Sequence, residues 1–166
     1  GSSHHSLYYR MPGIKIVSPM TPKEYLAIYE DFMRNDDVMY VSEHRGSYGN
    51  AEELSDIFYD ESDIVLFPIS ITRFEAVKAQ EMLKARGVKA SVIHQVWLKP
   101  FVFKDKWKKT LKKSRLGGIV LDDDYEDGVS KSLAHKMMLE TNKNVYTLGL
   151  ENRTAGFHQK VDNLPP

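Results

Sequence analysis

The chain has 166 residues, of which 42% are hydrophobic and 28% charged, and this is the composition of an ordinary globular protein. Its 23 basic and 23 acidic residues cancel, which argues against nucleic-acid binding, and its apolar runs are too short to span a bilayer. The absence of cysteine excludes a disulfide framework, a thiolate metal site and a cysteine nucleophile, and it fits an intracellular, cytoplasmic location.

The first six residues, Gly1 to Ser6, lack the character of a signal peptide. They are compatible with the remnant of an expression tag, although two histidines make a poor affinity handle. His4 and His5 are also an adjacent imidazole pair that could donate and accept protons near neutral pH. The residues alone leave both interpretations open.

The next part of the chain is predicted to form a β-α-β unit. Ile14 to Val17 has the pattern of a short strand, and Thr21-Pro22-Lys23-Glu24 predicts a helix start with a capping box. This helix continues to about Arg34, and a second strand follows from Val38 to Val41. The stretch from Gly46 to Ser62 lacks a sustained period and is predicted to be a linker.

From Asp63 onward the sequence predicts alternating strands and helices in the order β-α-β-α-β-α-β. A second capping box is expected at Thr72, where the first of these helices begins. The predicted strands are Asp63–Ile69, Lys89–Leu98, Gly118–Leu121 and Val145–Leu150, and the later helices are Lys104–Ser114 and Ser130–Thr141. Right-handed crossovers turn such an alternation into a three-layer α/β fold with an open, mainly parallel sheet.

Ligands or partners of such folds meet the carboxyl ends of the strands. The predicted segments at those ends are Ser70–Thr72, Lys99–Phe101 and an acidic loop from Asp122 to Asp127. The acidic loop lacks the spacing of a calcium-binding loop, and no glycine-rich phosphate-binding motif opens a helix. No metal or nucleotide site is therefore predicted.

The remaining polar residues are predicted to be structural or exposed. Ser70 has no nucleophile-elbow motif around it, and the basic helix from Lys104 to Arg115 is expected to present a solvated face. The histidines outside the first segment lack the spacing of a helical metal site: His44, His94, His135 and His158.

Several segments, taken in order, resemble one superfamily, the thiamine-diphosphate enzymes that include transketolase, deoxyxylulose phosphate synthase and the beta subunits of 2-oxoacid dehydrogenases. His4-His5-Ser6 with Arg10-Met11-Pro12-Gly13 and the strand after it resembles the end of the pyrimidine-binding domain. Asp63 to Leu83, Gly87 to Ile93 and Leu98-Lys99-Pro100 resemble the transketolase carboxyl-terminal domain. The closing Leu148–Phe157 and Asp162–Pro166 are similar to the ends of beta-subunit-like members, and this is the most specific match.

The sequence also departs from the family pattern. The segment between His5 and Pro12 is shorter than usual, and Val96 stands where many beta subunits have arginine. Gly128-Val129-Ser130 replaces a richer glycine motif. These departures leave the substrate undefined.

The resemblance implies a division into residues 1–45, the end of a pyrimidine-binding-like domain, a linker at 46–62, and a transketolase carboxyl-terminal-like domain at 63–166. It implies thiamine diphosphate and Mg²⁺ for the complete enzyme, held by another domain or subunit, so no residue here is assigned to cofactor or metal. His5, with His4, would lie near the bound substrate as a proton-transfer or charge-stabilising group. The partner would be a second copy or a diphosphate-binding subunit, with no nucleic acid and no membrane.

The expected function is therefore that of the carboxyl-terminal portion of a transketolase-like or 2-oxoacid dehydrogenase beta-subunit-like enzyme, inactive alone, which contributes to subunit assembly and to the active-site wall. The alternative is a non-catalytic interaction domain that serves as a scaffold in a complex. A third hypothesis is a small-ligand binding module that uses the loop from Ser70 to Arg73.

Overall fold

The computed structural model describes residues 3–152. The strands and helices follow in chain order: α1 (His5–Tyr9), β1 (Ile14–Val17), α2 (Pro22–Arg34), β2 (Val38–Val41), β3 (Ile64–Pro68), α3 (Thr72–Ala85), β4 (Ala90–Val92), β5 (Trp97–Lys99), α4 (Asp105–Lys113), β6 (Gly118–Tyr125), α5 (Val129–Thr141) and β7 (Val145–Leu150). Of the matched closing segments, the part after Asn152 lies outside the described residues, as does His158.

Four parallel strands form the main sheet in the order β4-β3-β6-β7. Helix α3 packs through Ala76 on one face, over Leu66, Ala90 and Val92. Helices α4 and α5 cover the other face, where a larger core surrounds Phe67, Leu111 and Leu133. Strands β3 and β4 are buried on both faces, as the nearly continuous apolar run at β3 predicted. The predicted α/β fold with a mainly parallel sheet is confirmed.

A second sheet has the order β2-β1-β5. Its strands β1 and β2 are parallel, and β5 runs antiparallel to β1. The prediction of one strand from Lys89 to Leu98 is therefore wrong. The chain leaves the main sheet after β4, passes through His94 and Gln95, and pairs with β1, whose backbone groups would otherwise lack partners along that side. Lys99–Phe101 consequently does not lie at the carboxyl edge of the main sheet.

The prediction of an acidic loop from Asp122 to Asp127 is also wrong for its first residues, which belong to a strand. Strand β6 continues through Tyr125, and Asp122 and Asp124 are buried, 4% and 6% exposed. A run of aspartates can extend a buried strand only where their charges find partners, and these partners come from the distant N-terminal segment described below.

Neither predicted capping box forms. Thr21 makes no side-chain bond to the helix, and Glu24 instead accepts from the Met20 N–H and from the Arg73 guanidinium. The Thr72 hydroxyl donates back to the Ile69 carbonyl oxygen. A carboxylate recruited by a buried arginine is unavailable for the reciprocal bond that a capping box needs.

The predicted linker after Gly46 is packed against the main sheet, where Ile57 bridges to Val92. None of the helices in residues 3–152 has the length and hydrophobicity that a membrane crossing requires.

Candidate functional site

In the main sheet, the connections that follow the two central strands, β3 and β6, lead to opposite sides of the sheet. The chain goes from β3 outward through α3 to β4, and from β6 outward through α5 to β7 on the opposite side. The carboxyl ends of two such central strands border a crevice, which is the usual ligand position in open α/β sheets. Here the crevice is bordered by Ser70 after β3 and by the aspartate triplet, Asp122–Asp124, in β6.

Residues Ser3 to Ser6, called here the N-terminal segment, fill this crevice. Each aspartate of the triplet binds a different residue of the segment. His5 Nε2 lies 2.9 Å from Asp122 Oδ2, the Ser3 hydroxyl donates to Asp123 Oδ2 at 2.9 Å, and the Ser6 N–H donates to Asp124 Oδ2 at 2.8 Å. The Ser70 hydroxyl lies 3.1 Å from that of Ser3, and Ser70 adopts a left-handed φ of 54° there.

The His5 imidazole is fully buried, and both of its nitrogens have partners. Nε2 contacts Asp122 and lies 3.7 Å from Asp124 Oδ2, while Nδ1 lies 3.2 Å from the Ser42 hydroxyl at the end of β2. Burial alone would lower the pKa of His5, but the Asp122 carboxylate, helped by Asp124 and Asp123, raises it above its ordinary value. Burial also raises the pKa of the Asp122 carboxyl, so the two groups hold a proton between them and join the two sheets.

The Ser6 side chain caps a helix that begins more than a hundred residues later. Its Oγ accepts a hydrogen bond of 3.0 Å from the Val129 N–H, in the first turn of α5. The approach is so close that a Cβ on Gly128 would lie 1.9 Å from Ser6 Oγ. Glycine at this position is thus required by the N-terminal segment, which gives a structural reason for one residue of the Gly128-Val129-Ser130 departure.

The structure brings together only some of the residues singled out in the sequence. His44 Nε2 lies 3.7 Å from Asp123 Oδ2 beside the filled crevice, whereas the His4 side chain points to the exposed surface. His94 lies apart at the end of β4, and His135 is exposed on α5. The predicted pair His4 and His5 is therefore split between surface and interior.

Sequence reasoning missed Ser42 and the aspartates as partners of His5, and it missed the contact of Ser3 with Asp123. A signal was present, because three consecutive acids directly follow a buried strand at the predicted ligand edge. Among residues 3–152 no group of three or more histidine or acidic side chains is arranged to hold a metal ion. The arrangement anchors the N-terminal segment, and a substrate would contact the buried His5 ring only after the segment had moved.

Comparisons with known proteins give a structural likeness alone. No family model matches the chain, and no curated protein matches it. Among solved structures it is similar to an inactive beta4 tetramer of a split-gene transketolase, with 16% identity, a TM-score of 0.73, and coverage of 96% of this chain and 56% of that one. A transketolase from Campylobacter jejuni gives 15% identity and a TM-score of 0.66 over 89% of this chain and 23% of that one.

A mutant transketolase from Pichia stipitis is similar at 16% identity and a TM-score of 0.65, over 92% of this chain and 22% of that one. The chain thus spans about half of the split-gene protein and less than a quarter of the other two. The likeness shows the fold that the sequence resemblance implied, that of the carboxyl-terminal part of transketolase.

Proposed function

We propose that this chain is the carboxyl-terminal portion of a thiamine-diphosphate-dependent enzyme, either transketolase-like or 2-oxoacid dehydrogenase beta-subunit-like. It contributes to subunit assembly and to part of the active-site wall. The observation that carries the proposal is the likeness over 96% of this chain to only 56% of a split-gene transketolase. The domain division at 46–62 and a cytoplasmic location belong to the same proposal.

In this proposal, thiamine diphosphate and its Mg²⁺ ion are bound by another domain or subunit. Thiamine diphosphate is bound through Mg²⁺, which prefers oxygen ligands in octahedral geometry. Residues 3–152 contain no group of three or more candidate metal ligands, and the family resemblance places the ligands of the diphosphate in another part of the enzyme. No step of the reaction is assigned to the cofactor within this chain.

The two predicted catalytic histidines receive different roles. His4 has an exposed side chain next to the filled crevice, so it is the imidazole that can meet a substrate directly for proton transfer. His5 is a positioning residue, since its contacts with Asp122 and Ser42 fix the backbone on which His4 stands. Moving the segment would add His5 to the reacting groups.

An apolar stripe on α2 supports a role in assembly. Leu26, Tyr29, Phe32 and Met33 recur at helical spacing and are 67%, 51%, 45% and 79% exposed. Apolar side chains in such an arrangement normally face a core or a partner. In the proposal this stripe is covered by a second copy or by the diphosphate-binding subunit.

The first experiment is isothermal titration of the isolated chain with thiamine diphosphate and Mg²⁺. No binding is expected, and tight binding would contradict the assignment of the cofactor to another part of the enzyme.

The second experiment is co-expression with a diphosphate-binding subunit, followed by assays of 2-oxoacid decarboxylation and of ketol transfer. Activity is expected only in the complex, and the double substitution L26E/M33E should abolish both co-purification and activity.

The scaffold hypothesis is the second candidate, and the buried, fully bonded His5 ring favours it. Activity assays of the assembled complex distinguish the scaffold hypothesis from the catalytic one. If the histidines are catalytic, H4A should lower the kcat of the complex, and H5Q should lower it further and alter its pH profile. Full activity of a folded H4A/H5Q complex would make both residues bystanders and support the scaffold.

A further inference from the structure

A second site lies at the same edge of the main sheet, away from the filled crevice. A groove of about 720 Å³ opens beyond the end of β4, between α2, the segment around Asp56 and the chain leading into α4. The residues that matter for its chemistry are His94, Asp56, Lys104, Trp97 and Trp107. Its volume is that of a small-molecule pocket.

The His94 side chain is the unusual member of this groove. The residue is 6% exposed, and within residues 3–152 neither ring nitrogen meets a partner at full hydrogen-bonding geometry; the Ser55 main chain makes only a marginal contact with the ring. Buried polar atoms are nearly always paired, so two unpaired nitrogens lining a cavity indicate that a ligand supplies the missing bonds. Burial and the nearby Arg73 guanidinium lower the pKa of His94 to about 4, against smaller effects of Glu24 and the Ser55 main chain. The neutral ring offers one donor and one acceptor.

Charges of both signs line the groove. Glu24 is held by the buried Arg73 guanidinium through two hydrogen bonds of 2.8 and 2.5 Å. Asp56 accepts the His94 main-chain N–H at 2.8 Å, and the Lys104 ammonium lies 4.6 Å from the centre of the Trp107 ring. An anionic ligand would meet the Glu24 and Asp56 carboxylates and a cationic ligand the Lys104 ammonium, so an uncharged ligand is favoured.

The walls favour a flat, apolar ligand body. Trp97 and Trp107 both line the groove, together with Val102 and Pro100. Indole rings bind planar molecules through large apolar contact area and offset stacking. Because the Lys104 ammonium lies over the Trp107 ring, a planar ligand would stack on Trp97 and contact the exposed edge of Trp107.

We propose that this groove binds an uncharged, planar heteroaromatic molecule that hydrogen-bonds the His94 imidazole while its ring packs against Trp97 and Trp107. The site is independent of thiamine diphosphate and of the catalytic role proposed for the N-terminal segment. If the groove does not bind such a molecule, the function proposed above is unaffected.

The test is a titration of the full chain with quinolin-2-one, an uncharged bicyclic lactam with one donor and one acceptor. Trp97 and Trp107 are the only tryptophans of the sequence, so their intrinsic fluorescence reports on the groove. A saturable change is expected for the wild type. H94F should weaken binding at least about tenfold because it removes the hydrogen bond and keeps the ring volume.

Two controls make the result specific. H135F removes an exposed histidine from α5 and should leave the affinity unchanged. Quinoline-2-carboxylate has the same ring system with a negative charge and should bind at least about tenfold more weakly. The His94 imidazole resonances in wild-type protein, followed by NMR, should shift on addition of quinolin-2-one, which tests the contact without a substitution.

The proposal is overturned by the absence of a saturable change in the wild type, or by equal affinities of wild type and H94F. Equal or tighter binding of quinoline-2-carboxylate would overturn the preference for an uncharged ligand.

Discussion

Two histidines at one edge of the main sheet have opposite surroundings. His5 is buried among the aspartate triplet with both nitrogens bonded, and its pKa is raised. His94 is almost as deeply buried beside Arg73, its nitrogens have no partner at full hydrogen-bonding geometry in the described part of the chain, and its pKa is lowered to about 4. The first crevice is closed by the chain itself, and the second groove is open to a ligand.

The comparison shows that burial does not decide the role of a histidine. Desolvation favours the neutral form of both rings. Only His5 has carboxylates close enough to outweigh this effect and raise its pKa. A satisfied ring stabilises the fold, whereas an unsatisfied ring beside a cavity is available for binding.

The largest effect is expected from removing the charge that holds His5. D122N removes the carboxylate that lies 2.9 Å from His5 Nε2, and breaking this buried pair should lower the free energy of unfolding by about 3 kcal/mol or more. Chemical denaturation at pH 6 measures it. D127N is the control, because Asp127 pairs with Lys131 at the surface and its loss should have little effect. Equal decreases in the free energy of unfolding of D122N and D127N would show that the buried pair of His5 and Asp122 stabilises the fold no more than a surface ion pair does.

The second effect is a difference in pH dependence at His94. Its folded pKa of about 4 lies below the ordinary 6.5, so the unfolded chain binds more protons between these values and stability falls as the pH is lowered through this window. The full difference is on the order of 3 kcal/mol. H94F should therefore lose less stability than the wild type between pH 7 and pH 4, measured by denaturation at each pH. Parallel curves would contradict a neutral, unpaired His94.

These two surroundings could be predicted from the sequence only in part. The alternation after Asp63 predicted the main sheet, because buried parallel strands are apolar runs separated by helical periods. The single strand expected from Lys89 to Leu98 was wrong, since both of its halves are apolar and only pairing with the distant β1 separates them.

The site was harder to predict because its partners are far apart in sequence. Ser3 and Asp123 are 120 residues apart, and His5 and Asp122 are 117 apart. The sequence showed the aspartates and the histidines but not their pairing. His94 was predicted to be structural or exposed, and no local pattern reveals how its ring nitrogens are placed.

A smaller effect is expected from crowding the N-terminal segment. In G128A the added Cβ would lie 1.9 Å from Ser6 Oγ and 2.6 Å from Ser6 Cβ, so the segment must shift. Such overpacking costs about 1–3 kcal/mol, and amide hydrogen exchange in Ser3–Tyr9 should rise. G49A, where an added Cβ meets nothing within 4 Å, is the control. Unchanged exchange in G128A would mean that the segment is not held in the crevice.

The smallest effect is expected at His4, whose side chain is exposed. H4A should change the free energy of unfolding by less than about 0.5 kcal/mol, as measured by the same denaturation assay. A larger loss would show that His4 belongs to the buried cluster. A neutral result keeps it available for the chemistry proposed in the complete enzyme.

The contrast between the two histidines is tested most directly by an NMR pH titration of the imidazole groups, with H5Q and H94F used to assign the two signals. His5 should remain protonated above pH 6.5, and His94 should stay neutral until the pH approaches about 4. Addition of quinolin-2-one should shift the His94 signal and leave that of His5 in place. Ordinary titration of both rings near 6.5, or a ligand response at His5 alone, would contradict the division of this edge into a closed crevice and an open groove.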